Sequence, residues 1–264
     1  MVMAHALVEA WNEHAHATRS RRPPREPPAV TALVQQVATR TRRELLDART
    51  TQSEGRRRFI RGLRYRDLPT GLERKIPAAL ARYVESLEES ERPEPDRLQI
   101  VDAAFRIAGT GSLGSLRIAV LVKGKGGIDG GWIFDMKEQG APASHALLRP
   151  PKRNGAKRVR LALAACLARP PRMVGTTRLA GMAMLVRRLA PQEDKLDLAG
   201  LDHGQLPDLA SYLGALVGAA HLRGATKPAR AWKTREQSAL IQKAVGLAGL
   251  HEATYLALCD LTRL

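Results

Sequence analysis

The feature that most constrains the fold is a change of hydrophobic period near residue 99, where helical spacing gives way to alternation. Apolar and polar residues alternate over 99–108 and again over 115–123, as expected of strands with one buried face. A glycine-dense turn containing Asp129-Gly130 joins the second stretch to a third strand at 132–137. Three strands with such short connections predict an antiparallel meander.

Helices are predicted on both sides of these strands. The spacing of apolar residues indicates helices over 29–50 and 71–90, over 156–168, and over 208–222, 231–247 and 251–261. Two more strands, broken at Gly181, are predicted between 173 and 189. Gly214 and Gly218, four residues apart, predict a close helix contact. The fold class is therefore α+β: a small antiparallel sheet with a glycine-rich loop, flanked by helices, and a helical C-terminal third.

The same patterns suggest a division of the chain into four parts. They are an N-terminal helix with a basic, proline-rich linker (1–28), a helical segment (29–96), the glycine-loop sheet region with one helix (97–190), and a helical C-terminal region (191–264).

Composition indicates a globular, basic protein. The chain is 44% hydrophobic and carries a net charge of +17, so it has too many apolar residues for a disordered tail. Two cysteines are too few for a disulfide framework, which favours a cytoplasmic location. The longest uncharged stretch, 209–222, is shorter than a bilayer requires, so we expect no membrane span. The charged N-terminus also lacks the apolar core of a secretory signal.

The positive charge is concentrated in the middle of the chain. Residues 98–190 hold 16 basic and 4 acidic residues, and no acidic residue lies between Arg149 and Arg172. Such a field attracts nucleic acid or phosphates. The alternative is an ordinary solvated face, because 33 of the 43 basic residues are arginine and few aromatic residues accompany them.

The most informative motif is Gly109-Thr110-Gly111-Ser112-Leu113-Gly114, which has the G-x-G-x-x-G spacing of phosphate-binding loops. A dinucleotide-binding fold needs a helix directly after this loop, so that its N-terminus faces the pyrophosphate. Here an alternating, β-branched stretch follows instead. The sequence therefore argues against that fold.

A glycine loop between two strands, followed by a lysine on a third, is the arrangement found in protein kinases. Lys137 would then act as a point charge on the phosphates of ATP bound with Mg²⁺, and the loop amides would act as donors. The predicted ligand-binding residues are Gly109, Thr110, Gly111, Ser112, Gly114 and Lys137. The competing interpretation is a glycine-rich hairpin with Lys137 at the surface.

Residues for phosphoryl transfer are not evident in the sequence. A kinase needs an aspartate for the acceptor hydroxyl, and an asparagine and a second aspartate for Mg²⁺. The two asparagines, Asn12 and Asn154, lie in no such setting, and we find neither a hydrolase constellation nor metal-ligand spacing. We therefore predict no catalytic residue and no metal site, and we expect no activity from the chain alone.

The glycine-loop stretch from Val101 to Gly114, the pair Lys137-Glu138 and the stretch from Arg187 to Asp194 resemble the bacterial domain-of-unknown-function family 2252. The resemblance adds Glu138 and Arg187 as neighbours of unknown role. It supports five of the phosphate-binding residues: Gly109, Gly111, Ser112, Gly114 and Lys137. Members of this family carry upstream stretches that are similar to the catalytic loop and metal-binding acid of aminoglycoside-phosphotransferase-like kinases.

This chain has neither of those upstream stretches. The resemblance thus implies the later part of a family member, either a truncated or frameshifted gene product or a degenerate remnant. Surfaces that normally pack on the missing part should then be apolar and exposed, so we expect self-association. The functional hypothesis is binding of ATP or another phosphate ligand without phosphoryl transfer. The alternative is a nucleic-acid or protein-interaction module that uses Arg149 to Arg172.

Overall fold

The computed structural model describes residues 1–18, 24–109, 114–142, 145, 147, 155–227 and 230–261. The helices are α1 (Val2–Ala15), α2 (Pro28–Ala38), α3 (Arg42–Asp47), α4 (Ile76–Glu85), α5 (Gly155–Cys166), α6 (Leu206–Gly224) and α7 (Thr234–Leu261). The strands are β1 (Thr50–Ser53), β2 (Arg56–Phe59), β3 (Tyr65–Arg66), β4 (Ile100–Arg106), β5 (Arg117–Val122), β6 (Trp132–Glu138), β7 (Gly175–Leu179) and β8 (Met182–Arg188). The predicted α+β class is confirmed.

The chain forms two compact units. The first comprises residues 1–33, 165–168 and 196–264 and is helical, and the second comprises 34–164 and 169–195 and contains the strands. The four-part division drawn from the sequence stays a prediction.

A six-stranded sheet organises the second unit, with strand order β3-β4-β5-β6-β8-β7 and antiparallel pairing throughout. The predicted meander is β4-β5-β6, and the pair predicted to break at Gly181 is β7-β8. A strand rather than a helix follows the glycine loop, which agrees with the argument against a dinucleotide-binding fold.

One face of this sheet, here called the α4 face, is apolar. Its buried side chains pack against Ile76, Leu80 and Tyr83 of α4. The sheet residues in this cluster are Ile118, Val120, Val122, Trp132, Phe134, Met136, Leu179, Met184 and Val186. Burial of apolar side chains at roughly 25 cal/mol per Å² holds α4 on the sheet.

The opposite face, here called the Asp135 face, is divided. Ala104, Ala119 and Ile133 pack with side chains from α3 and β2 in a smaller apolar cluster. Asp135 lies two residues after Ile133 in β6, so strand alternation places both side chains on the same face. Asp135 is the nearer of the two to the glycine loop. Asp135 is only 2% exposed. A carboxylate that is buried this far needs hydrogen-bonding or oppositely charged partners.

The N-terminal part of the second unit differs from the prediction. Residues 29–50 form two helices, α2 and α3, rather than one, and a hairpin of β1 and β2 follows that the sequence analysis missed. Glu54 and Gly55 both have positive φ, the geometry of a two-residue hairpin turn. The charged run Arg56 to Arg58 conceals the strand pattern. The helix predicted over 71–90 is shorter, because α4 spans Ile76–Glu85.

The helical C-terminal third is confirmed, with one correction. Residues 234–261 form a single helix that includes Gly246 and Gly249, where the sequence analysis predicted two helices, over 231–247 and 251–261. A helix tolerates such glycines at about 1 kcal/mol each when good helix formers surround them. The predicted glycine contact is also confirmed. A Cβ atom at Gly214 would lie 2.2 Å from the Leu7 carbonyl oxygen, and one at Gly218 would lie 2.6 Å from the Trp11 carbonyl oxygen.

Helices in the described residues are too short or too polar to cross a bilayer.

Candidate functional site

The glycine loop joins β4 to β5. Gly109 and Gly114 have φ values of +73° and +75°, a region that favours glycine. Both have open space where a Cβ atom would stand, so the positive φ is the constraint at these positions. Three predicted ligand-binding residues, Thr110, Gly111 and Ser112, lie outside the described residues, as does Leu113.

A cleft of about 520 Å³ opens beside the loop. Its lining is Phe105, Arg106, Ile107, Ala108, Gly109, Gly114, Ser115, Leu116, Glu138 and Met182. The Leu116 amide donates to Glu138 Oε2 at 2.8 Å. Lys137 is not part of this lining, because neighbouring residues of a strand point to opposite faces. The structure therefore separates the predicted lysine from the cleft at the two glycines.

Lys137 lies instead on the Asp135 face, beside a group of charged side chains that we call the Asp135 cluster: Arg106, Arg117, Asp135 and Arg187. Arg117 makes a bidentate contact with the Asp135 carboxylate, from Nε at 2.8 Å and from Nη2 at 2.6 Å. Arg106 Nη1 lies 2.9 Å from Asp135 Oδ1, and Arg187 Nε lies 3.9 Å from Oδ2. Three strands thus deliver three guanidinium groups to one buried carboxylate.

The Asp135 cluster lies next to the glycine loop. Arg117 Nη1 donates to the Ala108 carbonyl oxygen at 2.9 Å, directly before Gly109. Lys137 is paired in register with Arg117, and like charges directly opposite each other in a sheet are destabilising. Two side chains of the same charge therefore face one another at the edge of the cluster.

Positive charge exceeds negative charge in the cluster. The side chains of Arg106 and Arg117 are 10% and 12% exposed, and Arg106 Nε is buried with no hydrogen-bond partner in the described part of the chain. Burial lowers the pKa of Arg106 despite the charge of Asp135. Burial alone would raise the pKa of Asp135, but hydrogen bonding from Arg117 and the charges of both arginines lower it. Asp135 is therefore ionised at neutral pH, and the cations are in excess.

A second buried arginine, Arg57, has the opposite balance. Its Nη2 lies 2.7 Å from both Asp47 Oδ1 and Asp129 Oδ1, and its Nε donates to the Ile128 carbonyl at 2.6 Å. Nη1 donates to Thr50 Oγ1 at 3.2 Å. Burial alone would lower the pKa of Arg57, but the hydrogen bonds and charges of Asp129 and Asp47 outweigh burial and raise it. Arg57 is thus surrounded by carboxylates and oxygen acceptors, whereas Asp135 is surrounded by arginines.

Sequence reasoning found part of this site. It placed Lys137 on the third strand and named Arg187 as a neighbour, and both lie on or beside the cluster. It missed Arg106, Arg117 and the partnership of Asp135. The pairing of Arg117 with Asp135 could have been predicted, because both residues occupy same-face positions in adjacent alternating strands.

The basic segment is only partly described. Arg149, Lys152 and Arg153 lie outside the described residues. Lys157, Arg158 and Arg160 lie on α5, and Arg172 Nε lies 3.3 Å from Glu91 Oε1. In the described residues no group of acidic, histidine and cysteine side chains has the arrangement of a metal site.

Helix α7 exposes apolar side chains. Ile241 is its buried residue, whereas Leu247, Leu250 and Leu261 are 67%, 65% and 68% exposed. Self-association, expected from the sequence, stays a prediction.

Comparison with protein families gives a match over nearly the whole chain. Residues 3–261 match a family described as an uncharacterized protein conserved in bacteria, DUF2252. The chain belongs to this family. The match confirms the resemblance to this family, and the relation to kinases and the partial-domain interpretation stay predictions. No curated protein and no solved structure matches this DUF2252 chain.

Proposed function

We propose that this DUF2252 protein binds a phosphate-bearing ligand on the Asp135 face, at the end of the sheet beside the glycine loop. The ligand would be a nucleotide with Mg²⁺ or another phosphate compound. The observation that carries the proposal is the charge imbalance of the Asp135 cluster, where three arginines surround one buried carboxylate and only Arg187 has a second carboxylate partner, the exposed Glu193, among the printed contacts of the described residues. Arginine forks match pairs of phosphate oxygens, so an anion would relieve this excess.

Lys137 supports the same ligand class. Its side chain lies on the same face of the sheet as Asp135, and its register partner is the cation Arg117. Its ammonium group would contribute a further charge to phosphate oxygens. Backbone amides of the glycine loop stay a predicted addition to this site, since the cleft lined by Gly109 and Gly114 does not include Lys137.

We propose binding rather than phosphoryl transfer. The sequence lacks the aspartate and asparagine setting that orients an acceptor and holds Mg²⁺ in kinases. The carboxylate of Asp135 is paired with Arg117 and Arg106, so we do not assign it the role of a Mg²⁺ ligand or of a base for an acceptor hydroxyl.

Thermal unfolding with added ligand tests the proposal. A ligand that binds only the folded chain raises the melting temperature, and at one hundred times Kd it stabilises by about 2.7 kcal/mol. We expect a rise with pyrophosphate or with Mg²⁺ and ATP. The variant Lys137→Met should reduce this rise.

The matched control is Lys123→Met, since Lys123 directly follows the other end of β5 and pairs with Asp96. This variant should respond to the ligand as the wild type does. An absent thermal response in the wild type, or an equal loss in both lysine variants, would contradict the proposal.

Nucleic-acid binding through the segment from Arg149 to Arg172 is the alternative function. It predicts an affinity for duplex DNA that falls steeply with salt, because bound phosphates release counterions. Replacing Lys157, Arg158 and Arg160 by glutamine would abolish that affinity, while Lys137→Met would leave it unchanged.

A further inference from the structure

Arg187 of the Asp135 cluster contacts two carboxylates that differ in environment. Its Nε faces the buried Asp135, whereas Nη1 and Nη2 lie 2.8 and 3.0 Å from the two oxygens of Glu193. The Arg187 and Glu193 side chains are 39% and 41% exposed. One side of the guanidinium thus faces a buried carboxylate at ion-pair distance, and its outer fork holds an exposed carboxylate.

The contact with Glu193 has the form of a bound ligand. Two parallel N–H···O contacts to two oxygens are how an arginine fork holds a carboxylate or a phosphate. Glu193 reaches Arg187 from the turn after β8, six residues further along the chain. Solvent and salt screen an ion pair that is about 40% exposed on both sides. A free anion can therefore compete with it.

The backbone around Glu193 has anchors of its own. Gln192 Nε2 donates to the Arg40 carbonyl oxygen at 3.0 Å, and the carboxylate of Asp194 forms an ion pair with Arg40. Both neighbours of Glu193 are thus held by a residue that does not belong to the cluster. The Glu193 side chain can leave Arg187 while its neighbours keep these contacts.

We propose that Glu193 and a phosphate dianion compete for the outer fork of Arg187. This inference rests on the proposed function and names the ligand group, a phosphate monoester or free phosphate in its doubly charged form. A dianion carries one more negative charge than Glu193, and it would approach the side of the sheet that Lys137 and Arg117 occupy. Glu193 then lowers the apparent affinity of the site for phosphate.

Calorimetric titration at pH 8 and about 0.15 M salt, where distant charges are screened, tests the competition. The probes are inorganic phosphate and AMP, with adenosine as the uncharged comparison. Glu193→Ala and Glu193→Gln should bind both phosphate probes about two- to fivefold more tightly than the wild type, as expected from loss of an exposed pair. Equal gains with both probes would assign the site to the phosphate group. A larger gain with AMP would assign it to a nucleotide.

Asp194→Asn is the matched control, because it removes the same charge from the neighbouring residue without freeing Arg187. It should leave phosphate affinity unchanged. In the Glu193→Ala background, Arg187→Lys should remove the gain, since lysine keeps the charge but lacks the fork.

The two proposals fail in different ways. If the wild type binds phosphate and the Glu193 variants bind it equally or more weakly, the competition is wrong and the phosphate site stands. An equal gain in Asp194→Asn would also overturn the competition, because general charge would explain it. If neither the wild type nor any variant binds phosphate, the proposed function itself is wrong.

Discussion

Arg57 and the Asp135 cluster belong to different sheets and differ in charge balance: Arg57 lies on the separate hairpin of β1 and β2, whereas Asp135 lies in the six-stranded sheet. Arg57 lies between two aspartates and two further oxygen acceptors, and the exposed Arg43 is 3.7 and 3.8 Å from the same aspartates. Asp135 is one buried carboxylate among three guanidiniums, of which Arg187 also pairs with the exposed Glu193. The pKa of Arg57 is raised and that of Arg106 is lowered, although both side chains are buried. Burial of charge is common to both sites, so the balance of partners distinguishes a structural ion pair from a candidate binding site.

The largest effect should come from Asp135→Asn. This change leaves two buried arginines without their counter-charge, and removing one partner of a buried ion pair costs about 3 to 5 kcal/mol. We expect a loss of this size in the free energy of unfolding measured by urea denaturation.

Asp129→Asn is the corresponding change at the other site. The loss should be clearly smaller, because Asp47 still pairs with Arg57 and the Asp129 side chain is 41% exposed. Equal losses in the two variants would show that the balance of partners does not matter.

Arg57→Met should have the next largest effect. Arg57 donates to the Ile128 carbonyl oxygen and to Thr50, and hydrogen bonds from a charged group contribute about 1.5 to 3 kcal/mol each. The two aspartates left behind are partly exposed and can be hydrated, which limits the cost. We expect a loss of about 2 kcal/mol in the same urea experiment. A loss below about 0.5 kcal/mol, the range of ordinary surface changes, would contradict the structural role of Arg57.

Lowering the pH should reduce the contribution of Asp135 to the free energy of unfolding. The pKa of Asp135 is lower in the folded chain than its ordinary value, so its ionised form stabilises the fold at pH above the unfolded pKa of about 3.9. This stability is lost as the pH falls through the folded pKa. The difference in unfolding free energy between wild type and Asp135→Asn should be constant above about pH 5 and shrink below about pH 4. A difference that stays constant to pH 2 would contradict the ionic role of Asp135.

The sequence predicted the strands of the sheet better than the chemistry of its face. Alternation over 99–108 and 115–123 is a local signal, and it identified β4 and β5. The hairpin of β1 and β2 was missed because Arg56 and Arg58 give its second strand a charged pattern.

The candidate site depends on long-range pairing. The register of β6 against β8 brings Arg187 opposite Asp135, although 51 residues, 136–186, lie between them in the sequence. Periodicity within one strand carries no information about that neighbour. The face of Lys137, by contrast, follows from its distance of two residues from Asp135, so alternation alone could have separated it from Glu138.

The smallest effect should come from Arg106→Met, and it makes the sharpest contrast with Arg57→Met. Arg106 is buried, its Nε lacks a partner in the described residues, and burial lowers its pKa. Arg117 still neutralises Asp135 after the change. Replacing a buried charge by an apolar side chain of similar length is often neutral or stabilising when the remaining charges stay paired. We expect a change within about 1 kcal/mol of wild type in urea denaturation, together with weaker phosphate binding. A loss as large as that of Arg57→Met would mean that Arg106 is a structural partner of Asp135, and the excess charge of the cluster would then be no evidence for a ligand.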